Sequence, residues 1–122
     1  RGMSERPLTG VIVVGVDGGG TKTRAVVADE RGAEIVAVDG PGSAVRGGPA
    51  GAEHSADVIA ATVRDALAHA AMEHVVPKVL YVGVAGVGRE PERDALWQAL
   101  AARELAEDVA VHPDAMIALD DA

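Results

Sequence analysis

The sequence has no cysteine and no phenylalanine, and one tryptophan and one tyrosine are its only aromatic rings besides the histidines. Without cysteine, these 122 residues hold neither a disulfide framework nor a thiolate metal site. With so few rings, any core must be assembled from Val, Ala, Leu and Ile. The length suffices for one domain with a real core. Basic residues are also scarce: 11 Lys and Arg stand against 19 Asp and Glu, for a net charge of -8. That balance argues against nucleic acid or an anionic membrane as partner. No apolar run approaches the roughly 20 residues of a membrane span, and the start does not read as a signal peptide. The expectation is a cytoplasmic protein. His54, His69, His74 and His112 are too scattered for a metal triad, and the first three read as surface residues.

What the sequence has in place of rings is β-branched residues and glycine, and the two meet in Val11 to Thr23, VIVVGVDGGGTKT. Val11 to Val16 reads as a strand buried on both faces. It delivers one carboxylate, Asp17, at its end. Gly18, Gly19 and Gly20 let the backbone turn sharply and let a polyanion approach the amides with no Cβ in the way. Thr21, Lys22 and Thr23 add hydroxyl donors and a local positive charge to an otherwise acidic chain. A carboxylate beside a phosphate cradle makes sense if a magnesium ion, with its waters, lies between them. The stretch does not fit the GxxxxGK[ST] loop, because a second strand rather than a helix is expected to follow. The plainer alternative is a glycine-rich hairpin turn with no ligand.

The pattern DGGGTKT resembles the first phosphate motif of the actin and sugar kinase superfamily, and more closely that of the BadF/BadG/BcrA/BcrD ATPase family, which includes N-acetylglucosamine and glucosamine kinases. The resemblance implies ATP and Mg2+ as cofactors, an amino sugar as small-molecule partner, Asp17 at the metal, and Gly18, Gly19, Gly20, Thr21, Lys22 and Thr23 on the phosphates.

The rest of the chain is read in order. Arg1 and Gly2 precede Met3, so residues 1–10 are expected to be a tag remnant and flexible N-terminus, and residues 11–122 a single lobe. Thr23 to Asp29 and Glu34 to Asp39 read as strands joined through the turn Asp29-Glu30-Arg31-Gly32. Gly40 to Gly51, GPGSAVRGGPAG, has five glycines and two prolines in twelve residues and is expected to be irregular. It is either a mobile linker or a substrate-facing loop. In the sugar kinases that the chain resembles, the corresponding loop reaches the sugar, often through an Asn. Ser43 is available here, and Val45 stands about where that Asn is expected.

Glu53 to His74 reads as an amphipathic helix ended by Pro77, with Ile59, Val63, Ala66, Leu67 and Ala70 inward. Lys78 to Ala85 is a second buried strand, parallel to the first by the right-handed crossover rule. It ends in Gly86-Val87-Gly88, either a plain turn or, by the resemblance, a backbone contact to the sugar. Pro91 suits the first turn of a second helix, Glu92 to Leu105, whose expected inner face is Leu96, Trp97, Leu100 and Leu105. Val109 to Val111 is a short third parallel strand. His112-Pro113-Asp114-Ala115 then opens a short helix through Leu119. Asp114 is a good N-cap on its own. By the resemblance it is the catalytic base and contacts the substrate.

The expected fold class is α/β, a ribonuclease H-like lobe with a five-stranded mixed sheet of order 3-2-1-4-5 and helices on its faces. Asp17, Gly86 and Asp114 then share the C-terminal edge of the parallel strands, where open α/β sheets bind ligands. The resemblance implies the N-terminal lobe of a longer ATP-dependent amino-sugar kinase, with the second lobe beyond Ala122. The alternatives in the same broad family are an ATPase activator of 2-hydroxyacyl-CoA dehydratase or benzoyl-CoA reductase type, and a sugar-responsive regulator. A lone lobe is also expected to self-associate or form a homodimer through surface its second lobe would cover.

Overall fold

The computed structural model describes residues 11–112. Five strands form one sheet of order β3-β2-β1-β4-β5: β1 is Ile12–Gly18, β2 Lys22–Asp29, β3 Glu34–Pro41, β4 Val79–Val84 and β5 Asp108–His112. β1 pairs antiparallel with β2, and β2 with β3. β4 runs parallel to β1, and β5 parallel to β4. The expected strand order and sense are therefore those observed. Helix α1, Ala52–His69, crosses from β3 to β4, and α2, Glu90–Ala102, crosses from β4 to β5.

The core is aliphatic, as the lack of rings requires. Val14 and Val16 of β1, Ala25 and Val27 of β2, and Leu80, Val82 and Val84 of β4 are buried on one face of the sheet. Ala56, Ile59, Ala60, Val63 and Leu67 of α1 and Leu96, Ala99 and Leu100 of α2 join them in one cluster. Each fully buried Val, Leu or Ile contributes about 1.5–3 kcal/mol of transfer free energy. Alanines at one-turn spacing let α1 lie close to the sheet, where larger side chains would hold it off. Both helices pack against this face. Register places Val13, Val26, Tyr81 and Ala110 on the opposite face, to which no described helix packs.

Several boundaries differ from expectation, and packing explains them. α1 ends at His69 rather than His74, where Ala71 turns left-handed at φ 58° and the Met72 amide donates to the Leu67 carbonyl at 2.8 Å. Alanines alone favour continuing the helix. Met72 and Val75 instead turn down to pack against the core, and that tertiary contact outweighs the propensity. α2 likewise starts at Glu90, with Pro91 in its first turn, and stops at Ala102 rather than Leu105. Glu104 takes φ 54°, which swings Leu105 into the core. Trp97 is not on the inner face but 46% exposed, because Ala99 completes the Leu96–Leu100 stripe. Its indole N–H donates to the Val109 carbonyl at 2.9 Å, over β5. Residues 40–51 are more regular than expected: β3 continues through Pro41, and Gly48–Gly51 forms a 3-10 turn leading into α1. The expected helix after Asp114 and the N-terminal segment lie outside the described residues.

Candidate functional site

Three loops meet at the C-terminal edge of β1 and β4, and they are joined mainly by backbone. The first is the hairpin turn between β1 and β2. The Gly19 amide donates to the Lys22 carbonyl at 2.8 Å, leaving Gly20 and Thr21 at the tip. The second is the loop after β3. Its Ser43 and Ala44 amides both donate to the Gly19 carbonyl, at 3.0 and 3.2 Å. The third follows β4. The Ala85 amide donates to the Gly18 carbonyl at 2.9 Å, and the Ala85 carbonyl accepts from the Val45 amide at 2.9 Å.

Glycine is required where these loops touch. A Cβ on Gly42 would meet the Gly20 carbonyl, and one on Gly86, at φ 93°, would meet the carbonyl of Val45. Both obstacles are backbone, which cannot swing aside as a side chain can.

This geometry sorts the expected phosphate ligands. Gly18 is a strand residue, buried, and a Cβ there would strike Ser43 Oγ. The Gly19 amide is already bonded. Thr23 was expected on the phosphates and Ser43 on the substrate. In the structure both are buried, and Thr23 Oγ1 donates to Ser43 Oγ at 2.6 Å, so each satisfies the other behind the turn. The strand period turns Thr23 inward while its neighbours Lys22 and Arg24 face solvent. Among the described residues, the Gly20 and Thr21 amides make no hydrogen bond within the chain. They stand exposed with the Thr21 hydroxyl and the Lys22 ammonium, and these are the donors open to an anion.

Asp17 is exposed at the end of β1. Arg24 stands directly opposite it in the β1–β2 register but turns to Asp39, 3.1 Å away. Asp17 makes no ion pair among the described residues. One row of the sheet runs Asp39, Arg24, Asp17, Gly83, His112 across all five strands. Asp17 and His112 are thus two strands apart, about 10 Å, with only a glycine between them. The described residues hold no cluster of three or more acidic, His or Cys side chains for a metal. A single exposed carboxylate beside a turn with open amides fits magnesium, which keeps several waters and is shared between one or two carboxylates and substrate phosphates.

In the turn after β4, Gly86 and Gly88 are exposed and Val87 is fully buried. Arg93 of α2 holds this turn by donating to the Val87 and Gly88 carbonyls at 3.2 and 2.8 Å. Val87 therefore anchors the turn in the core, and only the glycines flanking it are open to a ligand. Val45 is also buried, so the position where an Asn was expected carries a packing residue. Asp114 lies outside the described residues.

Two side chains that the sequence reading did not single out for the site do stand at it. Arg46 brings its guanidinium against Gly20, where Nη2 lies 2.9 Å from the place a Cβ would occupy. His54, in the first turn of α1, lines the same cavity of about 290 Å3 together with Gly20, Gly42, Ala44, Arg46 and Gly51. A signal for Arg46 was available: it is the one charged residue in the glycine-rich stretch from 40 to 51. His54 lacked one, since only the 3-10 turn brings the start of α1 back to the Gly20 loop.

A five-stranded mixed sheet of order β3-β2-β1-β4-β5 with helices between its parallel strands defines an α/β lobe of the actin-like ATPase kind. Comparison with known proteins agrees. The sequence profile of the BadF/BadG/BcrA/BcrD ATPase family matches residues 14–122, and the chain belongs to that family. Among solved structures, a Chromobacterium violaceum protein assigned as an N-acetylglucosamine kinase superposes with a TM-score of 0.63 at 21% identity, covering 83% of this chain and 34% of that one. A reductive activator for a corrinoid, iron–sulfur protein superposes with a TM-score of 0.54 at 14% identity, covering 92% of this chain and 24% of its own. A search of curated proteins gave no match. The chain thus spans about a third of the first structure's length and a quarter of the second's.

Proposed function

We propose that this chain is the N-terminal lobe of an ATP-dependent amino-sugar kinase that transfers the γ-phosphoryl group to a hydroxyl of glucosamine or N-acetylglucosamine. The observation that carries the reading is the stitched edge: a turn with two amides unpaired among the described residues, a lysine and an exposed carboxylate, held against the loop after β3 and the turn after β4. The likeness to the kinase-assigned structure supports it.

In this reading the Gly20 and Thr21 amides and Lys22 bind and orient the phosphates, and catalysis is mainly positioning and charge stabilisation. Asp17 would hold magnesium, and the ion, when bound, would neutralise phosphate charge. The exposed Gly86 and Gly88 backbone bounds the acceptor. Asp114 accepts the proton of the attacking hydroxyl. A second lobe closes over the nucleotide and excludes water.

The structural likeness to a reductive activator favours a second reading, an ATPase that drives a partner redox protein. The two separate on one experiment with the full-length protein. The kinase reading expects magnesium-dependent phosphorylation of glucosamine or N-acetylglucosamine. It expects Asp114→Asn to lower turnover by roughly 10²-fold or more, the scale of general-base loss, while nucleotide affinity stays nearly constant. ATP hydrolysis without sugar phosphorylation, insensitive to Asp114→Asn, would sink it in favour of the activator.

A further inference from the structure

Arg24 stands between two carboxylates on the helix-free face of the sheet. In the β1–β2 register it lies directly opposite Asp17, and in the β2–β3 register directly opposite Asp39. Directly paired residues of antiparallel strands put their side chains on one face, with Cβ atoms about 5 Å apart. The two carboxylates therefore flank Arg24 at one level, one on each neighbouring strand, and its side chain is long enough for either. The guanidinium goes to Asp39, where Nη1 donates to Oδ1 at 3.1 Å. Lys22, the next residue of β2 on that face, has Pro41 opposite it in β3 and lies past the end of the β1 pairing. On the other side of Asp17 the row continues with Gly83, which has no side chain to offer. Among the described residues of this row, Asp39 is thus the group that draws the guanidinium off Asp17. Two carboxylates and one guanidinium leave one negative charge among the three, and the pairing leaves it on Asp17, beside the β1–β2 turn.

We infer, resting on the reading of Asp17 as the magnesium carboxylate, that Asp39 is a positioning residue: by holding Arg24 it keeps Asp17 available to a divalent cation. Without the Asp39 carboxylate, the remaining partner of Arg24 across a strand is Asp17. A guanidinium matches a carboxylate as a fork of two donors. Seated on Asp17, it would occupy the oxygens that a hydrated cation needs and put positive charge where that cation must approach. Arg24 and Asp39 are about half exposed, 49% and 47%, and ion pairs so exposed are worth up to about fivefold in an equilibrium constant. Asp39 therefore tunes the affinity of Asp17 for a cation and does not switch it on or off.

The test uses the full-length protein and has a metal-free and a metal-bound measurement. In EDTA, urea midpoints are compared for Asp17→Asn, Arg24→Gln and the pair of them, with Asp39 present and again in an Asp39→Asn background. The two substitutions are expected to be additive while Asp39 is present and non-additive in Asp39→Asn, where Arg24 and Asp17 come into contact. Mn2+ is then titrated in the presence of saturating ADP and its binding read by electron paramagnetic resonance. Asp39→Asn is expected to weaken Mn2+ binding about fivefold, Asp39→Glu to keep most of the affinity, and Asp39→Asn with Arg24→Gln to return it to the wild-type value. All three side chains are exposed, so the variants should fold; thermal melts verify this. Unchanged Mn2+ affinity in Asp39→Asn overturns the inference, as does a double variant that fails to recover. So does a loss in Arg24→Gln alone as large as in Asp39→Asn, which would make Arg24 an aid to binding instead of a competitor. If wild type binds no Mn2+ yet the coupling appears only in Asp39→Asn, the metal reading of Asp17 fails and the placement of Arg24 by Asp39 stands.

Discussion

The turn after β2 and the turn after β1 do the same topological work with opposite chemistry. Each reverses the chain between antiparallel strands. In the first, Asp29 closes the turn on itself: its Oδ1 accepts the Arg31 and Ala33 amides at 2.9 and 3.0 Å, and its carbonyl accepts the Gly32 amide at 2.9 Å. Those donors pull its carboxyl below the ordinary aspartate value, the Ala33 amide most. In the second, no side chain closes the turn. The Gly19 carbonyl is spent on the loop after β3, and the Gly20 and Thr21 amides are left unpaired among the described residues. A turn that serves only the fold satisfies its own donors. A turn that leaves its donors open takes its rigidity from neighbouring loops.

The contrast can be broken most forcefully at Gly42. Gly42→Ala drives a methyl into the Gly20 carbonyl, so the loop after β3 must lift from the turn between β1 and β2. Overpacking against backbone is expected to cost about 3 kcal/mol, read as a shift in urea midpoint, together with a clear loss of magnesium-nucleotide binding. Normal nucleotide binding in Gly42→Ala would mean that the turn does not depend on its neighbour.

A smaller effect is expected one residue along. Ser43→Ala strands the buried Thr23 hydroxyl, at about 1–2 kcal/mol for an unsatisfied group. Replacing both, as Thr23→Val with Ser43→Ala, should recover much of that loss, because neither orphan then remains. A double variant no more stable than Ser43→Ala, in the same urea series, would assign the hydroxyls a role beyond satisfying each other.

The smallest effect belongs to the self-sufficient turn. Because the folded-state pKa of Asp29 is depressed, its contribution is fully present above the ordinary aspartate value and is lost as pH falls through the depressed one. Wild type should lose stability across that acid window more steeply than Asp29→Asn, with nucleotide binding at neutral pH alike in both. Identical acid profiles would remove the carboxylate from the account of this turn.

The period and composition of the chain determined a good deal without any coordinates. β-branched runs, two tight connections and two amphipathic stretches specify an antiparallel meander of three strands followed by parallel strands in right-handed crossovers, and the resemblance to a ribonuclease H-like lobe implies the full order 3-2-1-4-5. They also put Asp17 and Gly86 on one edge. Tertiary structure alone decided what each residue at that edge does. Thr23 and Ser43 are polar residues in a glycine-rich context and read as ligands. They face each other because strand alternation and the Gly19–Ser43 bond turn both inward. Val87 is drawn into the core for the same kind of reason. The helix ends at His69 and Ala102 depended on Met72, Val75 and Leu105 finding core contacts, which local propensity does not register. Arg46 and His54, eight positions apart and on different elements, meet at one cavity only through the fold. Local pattern sets which elements form. Which side chains are left facing a ligand depends on contacts between residues far apart in the chain, and those exist only once the sheet and its loops are assembled.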